Sequence, residues 1–174
     1  MKTFRHILTL GVVAALLGAA QIARADTATG NATATIVPAL TMAQAAGNFL
    51  NFGRIAQSAT PGYVTISENG TRWVTGLQVI SGSAVSPAIF NFTGDPGAAF
   101  FVTLPTSATL TRYGGAETMT VTNFVVNISG QMDGTGILDA GGFAQGNIGA
   151  TLNVDANQPI GVYDGTFAVV YAYN

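Results

Sequence analysis

Between residues 161 and 174 the chain reads G-V-Y-D-G-T-F-A-V-V-Y-A-Y-N, and its large apolar side chains alternate with small or polar ones. Tyr163, Phe167, Val169, Tyr171 and Tyr173 share one parity, while Asp164, Thr166, Ala168 and Ala172 take the other. A two-residue repeat is the period of a β-strand, not of a helix face. The stretch therefore predicts a strand buried on one side, which needs neighbouring strands to pair with. No capped, amphipathic helix of useful length occurs after residue 25, so the expectation is an all-β domain.

The amino terminus sets a second constraint. Lys2, Arg5 and His6 precede an apolar run over residues 7–20, and Ala23 and Ala25 supply the small residues that a signal peptidase reads. Residues 1–25 are expected to be a cleaved secretory signal, leaving Asp26 first. The run is shorter than the roughly 20 residues that span a bilayer, which argues against a membrane anchor. Export would place the protein in the periplasm, on the outer surface or outside the cell, with the membrane involved only in passage.

Removing that leader removes chemistry. Lys2 is the only lysine and His6 the only histidine, there is no cysteine, and Arg54, Arg72 and Arg112 remain against all eight acidic residues. Without imidazole, thiol or amine, no Ser-His-Asp triad, Schiff-base lysine or transition-metal site of the usual kind can be built. The expectation is no catalytic residue, no cofactor and no enzyme. Three cations are also too few to neutralise a phosphate backbone, so nucleic acid is not an expected partner.

The remaining residues, 26–174, are an ordinary size for one domain. With no disulfide available, stability must come from apolar packing and sheet hydrogen bonds. Along the chain, residues 32–37 alternate before Pro38, and residues 26–37 read as an extended amino-terminal strand. A strand is expected near residues 48–54, with Gly53 marking a bulge or a close backbone approach. Residues 63–67 and 72–79 flank Asn69-Gly70, the sequence of a type I′ hairpin turn. Phe90 and Phe92, then Phe100 and Val102, point inward on two further strands.

In residues 118–129 the apolar parity slips between Val121 and Phe124, which predicts a β-bulge at Thr122 or Asn123. Residues 130–142 read as a glycine-rich loop, and Ile148, Ala150, Leu152 and Val154 give the penultimate strand. About ten short strands at this spacing predict a sandwich or a barrel, with the sandwich favoured.

Candidate sites are few. Asp133 and Asp139 flank a glycine-rich turn whose oxygens could hold Ca²⁺, but the spacing of a calcium-binding loop is missing and a plain turn explains them. Glu68 and Glu117 are the only glutamates and sit beside turns, where solvation accounts for them better than a hydrolytic pair does. Trp73, Tyr63 and Tyr113 could form an aromatic platform for a sugar or a protein, against the ordinary reading of sheet packing. Sequons at Asn31, Asn69, Asn91 and Asn127 reflect richness in asparagine and threonine.

Six motifs then carry a likeness. L50-N-F-G-R-I55, T65-I-S-E-N-G-T71, F90-N-F-T-G94, F101-V-T-L-P105, T118-M-T-V121 and the segment from Gly161 to Tyr173 occur in this order. Together they resemble the bacterial secreted family called domain of unknown function 4402, over nearly all of residues 35–174. The L-x-F-G and final G-x-Y segments are more loosely similar to spore-coat U and chaperone–usher pilin domains. That resemblance implies an Ig-like, pilin-like β-sandwich acting as a structural or adhesive cell-surface subunit. It also implies self-association by strand addition or contact with other surface proteins. Gly53, Asn69, Gly70, Gly161, Tyr163, Phe167, Tyr171 and Tyr173 are expected to be structural. The alternatives are a carbohydrate- or protein-binding module built around Trp73 and a small outer-membrane barrel.

Overall fold

The computed structural model describes residues 27–174, so the leader read at residues 1–25 and its cleavage point before Asp26 lie outside the described residues. The chain divides into two units at Thr35/Ile36. Residues 27–35 of the first are exposed and without regular structure. All strands among the described residues belong to the second unit, Ile36–Asn174. Its first ladder begins only at β1 (Thr41–Gln44). The alternation at residues 32–37 forms no strand, and its mostly small side chains offer little apolar area to fix one in place.

After β1 come β2 (Gly62–Ile66), β3 (Arg72–Thr75), β4 (Ala88–Thr93), β5 (Ala99–Thr103) and β6 (Ser107–Arg112). β7 (Thr118–Ile128), β8 (Thr135–Ile137), β9 (Phe143–Val154), β10 (Tyr163–Asp164) and β11 (Val170–Tyr173) complete the set. Every pairing is antiparallel. The larger, eight-stranded sheet is organised on β9, whose one edge pairs with β7. Its other edge is shared: β4 pairs with the first half of β9 and β2 with the second. β1 extends the sheet beyond β4, β3 beyond β2, and β6 and β10 beyond β7. Among the described residues these ends do not meet, so the sheet is open. β11, β5 and β8 make a second, three-stranded sheet.

The two sheets enclose one core between them. Phe90 and Phe92 from β4, Phe100 and Val102 from β5, Ile128 from β7 and Leu138 after β8 are buried there. The rings of Phe92 and Phe100 lie 4.8 Å apart. The protein is thus an all-β sandwich, held as its cysteine-free composition requires by apolar contact. A second core lies on the same inner face of the large sheet, around Val64, Ile66, Val121 and Leu152. No strand of the small sheet reaches it. Its cover is made by irregular chain, residues 49–57 and 77–85, which supply Phe52, Ile55, Leu77, Val79 and Val85.

Four local readings are refined. The β7 register shifts between Thr122 and Val125, and Asn123 adopts a φ of 51°, which puts the bulge where the parity slips. The Asn69-Gly70 turn is not type I′. Only Gly70 has positive φ, at 82°, and the Ser67 N–H donates to Thr71 O at 2.9 Å across a three-residue loop. The Asn69 side chain selects this turn by accepting the Ser67 hydroxyl at 2.6 Å and the Thr71 N–H at 3.0 Å. The expected strand at residues 48–54 is reduced to isolated bridges, Asn51 to Ser86 and Ile55 to Val79. The loop at residues 130–142 contains a strand, β8, which pairs with β5.

Candidate functional site

The closing stretch of the chain does not stay in one ladder. Tyr163 and Asp164 pair with β6 of the large sheet, whereas residues 170–173 pair with β5 of the small one. Between these ladders residues 165–169 make no backbone hydrogen bond with any described residue. Side-chain burial still alternates as the sequence predicts, with Phe167 and Val169 half-buried and Thr166 and Ala168 exposed. Phe167 anchors the crossing. Its ring lies 5.0 Å from that of Phe124 and 6.3 Å from that of Phe90, edge-on to the latter.

Residues 158–167 form one wall of a groove of about 880 Å³. The facing wall is residues 49–57, and the floor includes Leu110, Met119, Val121, Leu152 and Val154 from the inner face of β6, β7 and β9. On the 49–57 wall, Arg54 O and Ala56 N–H bond away from the groove, to Ile80 and Gln78. Strand alternation then turns the N–H and C=O of Ile55 toward the groove, where they have no backbone partner. Main chain without a backbone partner thus occurs at Ile55 on one wall and at residues 165–167 on the other, beside an apolar floor. Phe49, Ile160 and Val162 are exposed and line the same groove. Apolar side chains clustered in this way mark interaction surfaces more often than solvated ones.

The residues singled out from sequence fall in distinct places. Tyr63 and Trp73 come together on the outer face of β2 and β3 as diagonal neighbours, since Tyr63 opposes Thr75 and Trp73 opposes Thr65. They are 45% and 65% exposed. Tyr113 is exposed too, but it follows β6, four strand steps from β3, a separation across the sheet of about 19 Å before its displacement along the strand is added. The three do not form one platform.

Asp133 and Asp139 are turn carboxylates. Asp133 Oδ1 accepts the Thr135 hydroxyl at 2.6 Å and the Thr135 N–H at 2.9 Å, which holds its pKa below the ordinary value. Asp139 Oδ1 accepts the N–H groups of Gly141 and Phe143. Among the described residues no group of three or more His, Cys, Asp or Glu side chains is placed to hold a metal ion.

Glu117 sits at the β6–β7 turn in a two-pronged pair with Arg112, Nε donating to Oε2 at 2.7 Å and Nη2 to Oε1 at 3.0 Å. Hydrogen bonding from Arg112 lowers its pKa to about 2. Gly161 lies against the Arg112 side chain, where any Cβ would intrude. Gly53 has a φ of 78° and packs against Arg72, Ser83 and Val85. Tyr163 donates its hydroxyl to Pro159 O at 2.7 Å, and Tyr171 packs edge-on to Phe92 at 6.3 Å. The Tyr173 hydroxyl donates to Pro38 O at 2.9 Å and accepts the Asp95 N–H at 2.7 Å.

A family model described as a domain of unknown function, DUF4402, matches residues 40–173. The chain belongs to the DUF4402 family. Comparison with curated proteins and with solved structures finds no match. In this DUF4402 domain the first and last of the six sequence motifs, residues 50–55 and 161–173, supply the two walls that face each other across the groove. Sequence reasoning found the motifs but not the groove. Its existence depends on how far the small sheet extends over the large one, and no single strand encodes that.

Proposed function

We propose that this protein is a secreted, non-enzymatic structural or adhesive subunit of the cell surface, whose copies associate by β-strand addition. The observation that carries this reading is the groove. Its floor is apolar, and each wall offers main-chain donors and acceptors that have no partner within the described chain. An extended segment entering it would satisfy backbone groups on both sides while its alternate side chains cover the floor, the mode by which strand addition gives affinity. Residues 27–37 of a second copy are a suitable occupant, being exposed and free of regular structure, with Ala28, Gly30, Ala32, Ala34 and Ile36 on one parity. The leader-like amino terminus supports export. The absence of His, Lys and Cys from residues 27–174 supports a role without catalysis. Open sheet ends weigh against a membrane barrel, because a bilayer offers unpaired edges no partner.

Light scattering after size exclusion tests the proposal on residues 26–174 and on the same protein lacking residues 26–37. Concentration-dependent oligomers are expected from the longer form and monomer from the shorter. Monomer from both would remove strand addition from consideration.

A further inference from the structure

We propose that the outer face of β6, β7, β9, β2 and β3 is a binding surface for an extended, uncharged polysaccharide, independent of the groove on the inner face. Residues directly opposed in an antiparallel ladder point to the same side, so the registers define two rows across these five strands. One row runs Thr109, Thr120, Asn153, Tyr63, Thr75, and the other Ser107, Thr122, Thr151, Thr65, Trp73. Each row is about 19 Å long and the two are about 7 Å apart, from the spacing between strands and between alternate residues along one. Nine of the ten positions bear a hydroxyl or amide, the phenol of Tyr63 among them, and the tenth is Trp73.

The chemistry of the rows selects the ligand. No charged residue occupies any of the ten positions, although residues 27–174 carry an excess of acid over base. A polyanion would meet like charge overall and no cation on the face. Arg112 is paired with Glu117, and Arg72 donates to Ser83 Oγ at 3.1 Å. A sugar hydroxyl both donates and accepts, as do the hydroxyls of Thr109, Thr120, Thr75 and Ser107, which bond to no other described residue. Two internal bonds stiffen the middle of the face: Thr65 Oγ1 and Thr151 Oγ1 lie 2.9 Å apart, and Asn153 Nδ2 donates to Thr122 Oγ1 at 3.0 Å. Trp73 and Tyr63 supply exposed rings at one end, suited to the C–H face of a pyranose. Trp73 belongs to neither core, so its exposure is not required by packing.

Native-gel retardation tests this with the whole secreted chain, using hydroxyethyl cellulose and galactomannan as uncharged probes and polygalacturonate as an anionic one. Wild type is expected to be retarded by at least one uncharged probe and not by polygalacturonate. Trp73→Ala is expected to weaken that binding at least tenfold while its urea midpoint stays near wild type. Thr120→Val, which keeps shape and loses the hydroxyl, is expected to weaken it severalfold. Lack of retardation by both uncharged probes, equal retardation by polygalacturonate, or undiminished binding by Trp73→Ala would overturn the proposal. Oligomer size is read separately, so a failure here leaves strand addition to its own test.

Discussion

At the scale of single residues, Tyr173 links parts of the chain that strand pairing alone leaves apart. Its hydroxyl joins Asp95 and Pro38, 78 and 135 positions away in sequence. Tyr173→Phe keeps the ring and removes both bonds, so a loss of about 1–2 kcal/mol is expected, measured as a lower urea midpoint with unchanged slope. Glu117 makes a pH-dependent contribution. Its pKa falls from the usual 4.5 to about 2 in the folded protein, so the folded state binds the proton more weakly than the unfolded one. The stabilisation is fully present above pH 4.5 and is lost as pH drops through about 2. The gap in urea midpoint between wild type and Glu117→Gln should hold steady from neutrality to pH 5 and close on further acidification. A gap that stays constant down to pH 2 would show that the pair does not act through ionisation. Parity marked Tyr173 as inward-facing, yet its hydroxyl partners were not legible because neither is near it in sequence.

At the scale of elements, legibility follows side-chain size. β4, β5 and the second half of β9 were readable because Phe, Val, Ile and Leu recur there at every second, buried position. β8 and the start of β9 were not, because Gly136 and Gly146 occupy inward positions where a larger residue would announce a strand. Gly136 is required by packing, since a Cβ there would strike the ring of Phe100. The bulge in β7 was readable for the opposite reason, large residues on both sides of the slip. It lets Met119 and Val121 face one core and Val126 and Ile128 the other from one continuous strand. Asn123 carries the turn of register at a φ of 51°, a conformation asparagine tolerates and β-branched residues resist. Asn123→Val is expected to cost about 1–2 kcal/mol and Asn123→Gly to stay within about 0.5 kcal/mol of wild type. Equal stability of the two variants in urea would mean that the backbone at this position relaxes freely.

For the whole molecule, the decisive asymmetry is that a three-stranded sheet covers only part of an eight-stranded one. Over the first core the sandwich is complete; over the second, irregular chain and a groove take the place of strands. The final stretch spans this boundary, bonded at both ends and unbonded from 165 to 169. Its position is therefore maintained by side chains, chiefly Phe167 wedged between Phe90 and Phe124. Hydrogen exchange separates this arrangement from a fully paired sheet. In a monomer, the amides of residues 165–169 and of Ile55 should exchange within the fastest class, while those of β9, paired on both edges, should be protected to the level of global unfolding. If copies associate by filling the groove with a strand, protection should rise at residues 165–169 and at Ile55 together, because one inserted segment would bond to both walls. Protection confined to the outer face, or no change between monomer and oligomer, would place any association elsewhere and leave the unpaired walls as a feature of the isolated fold.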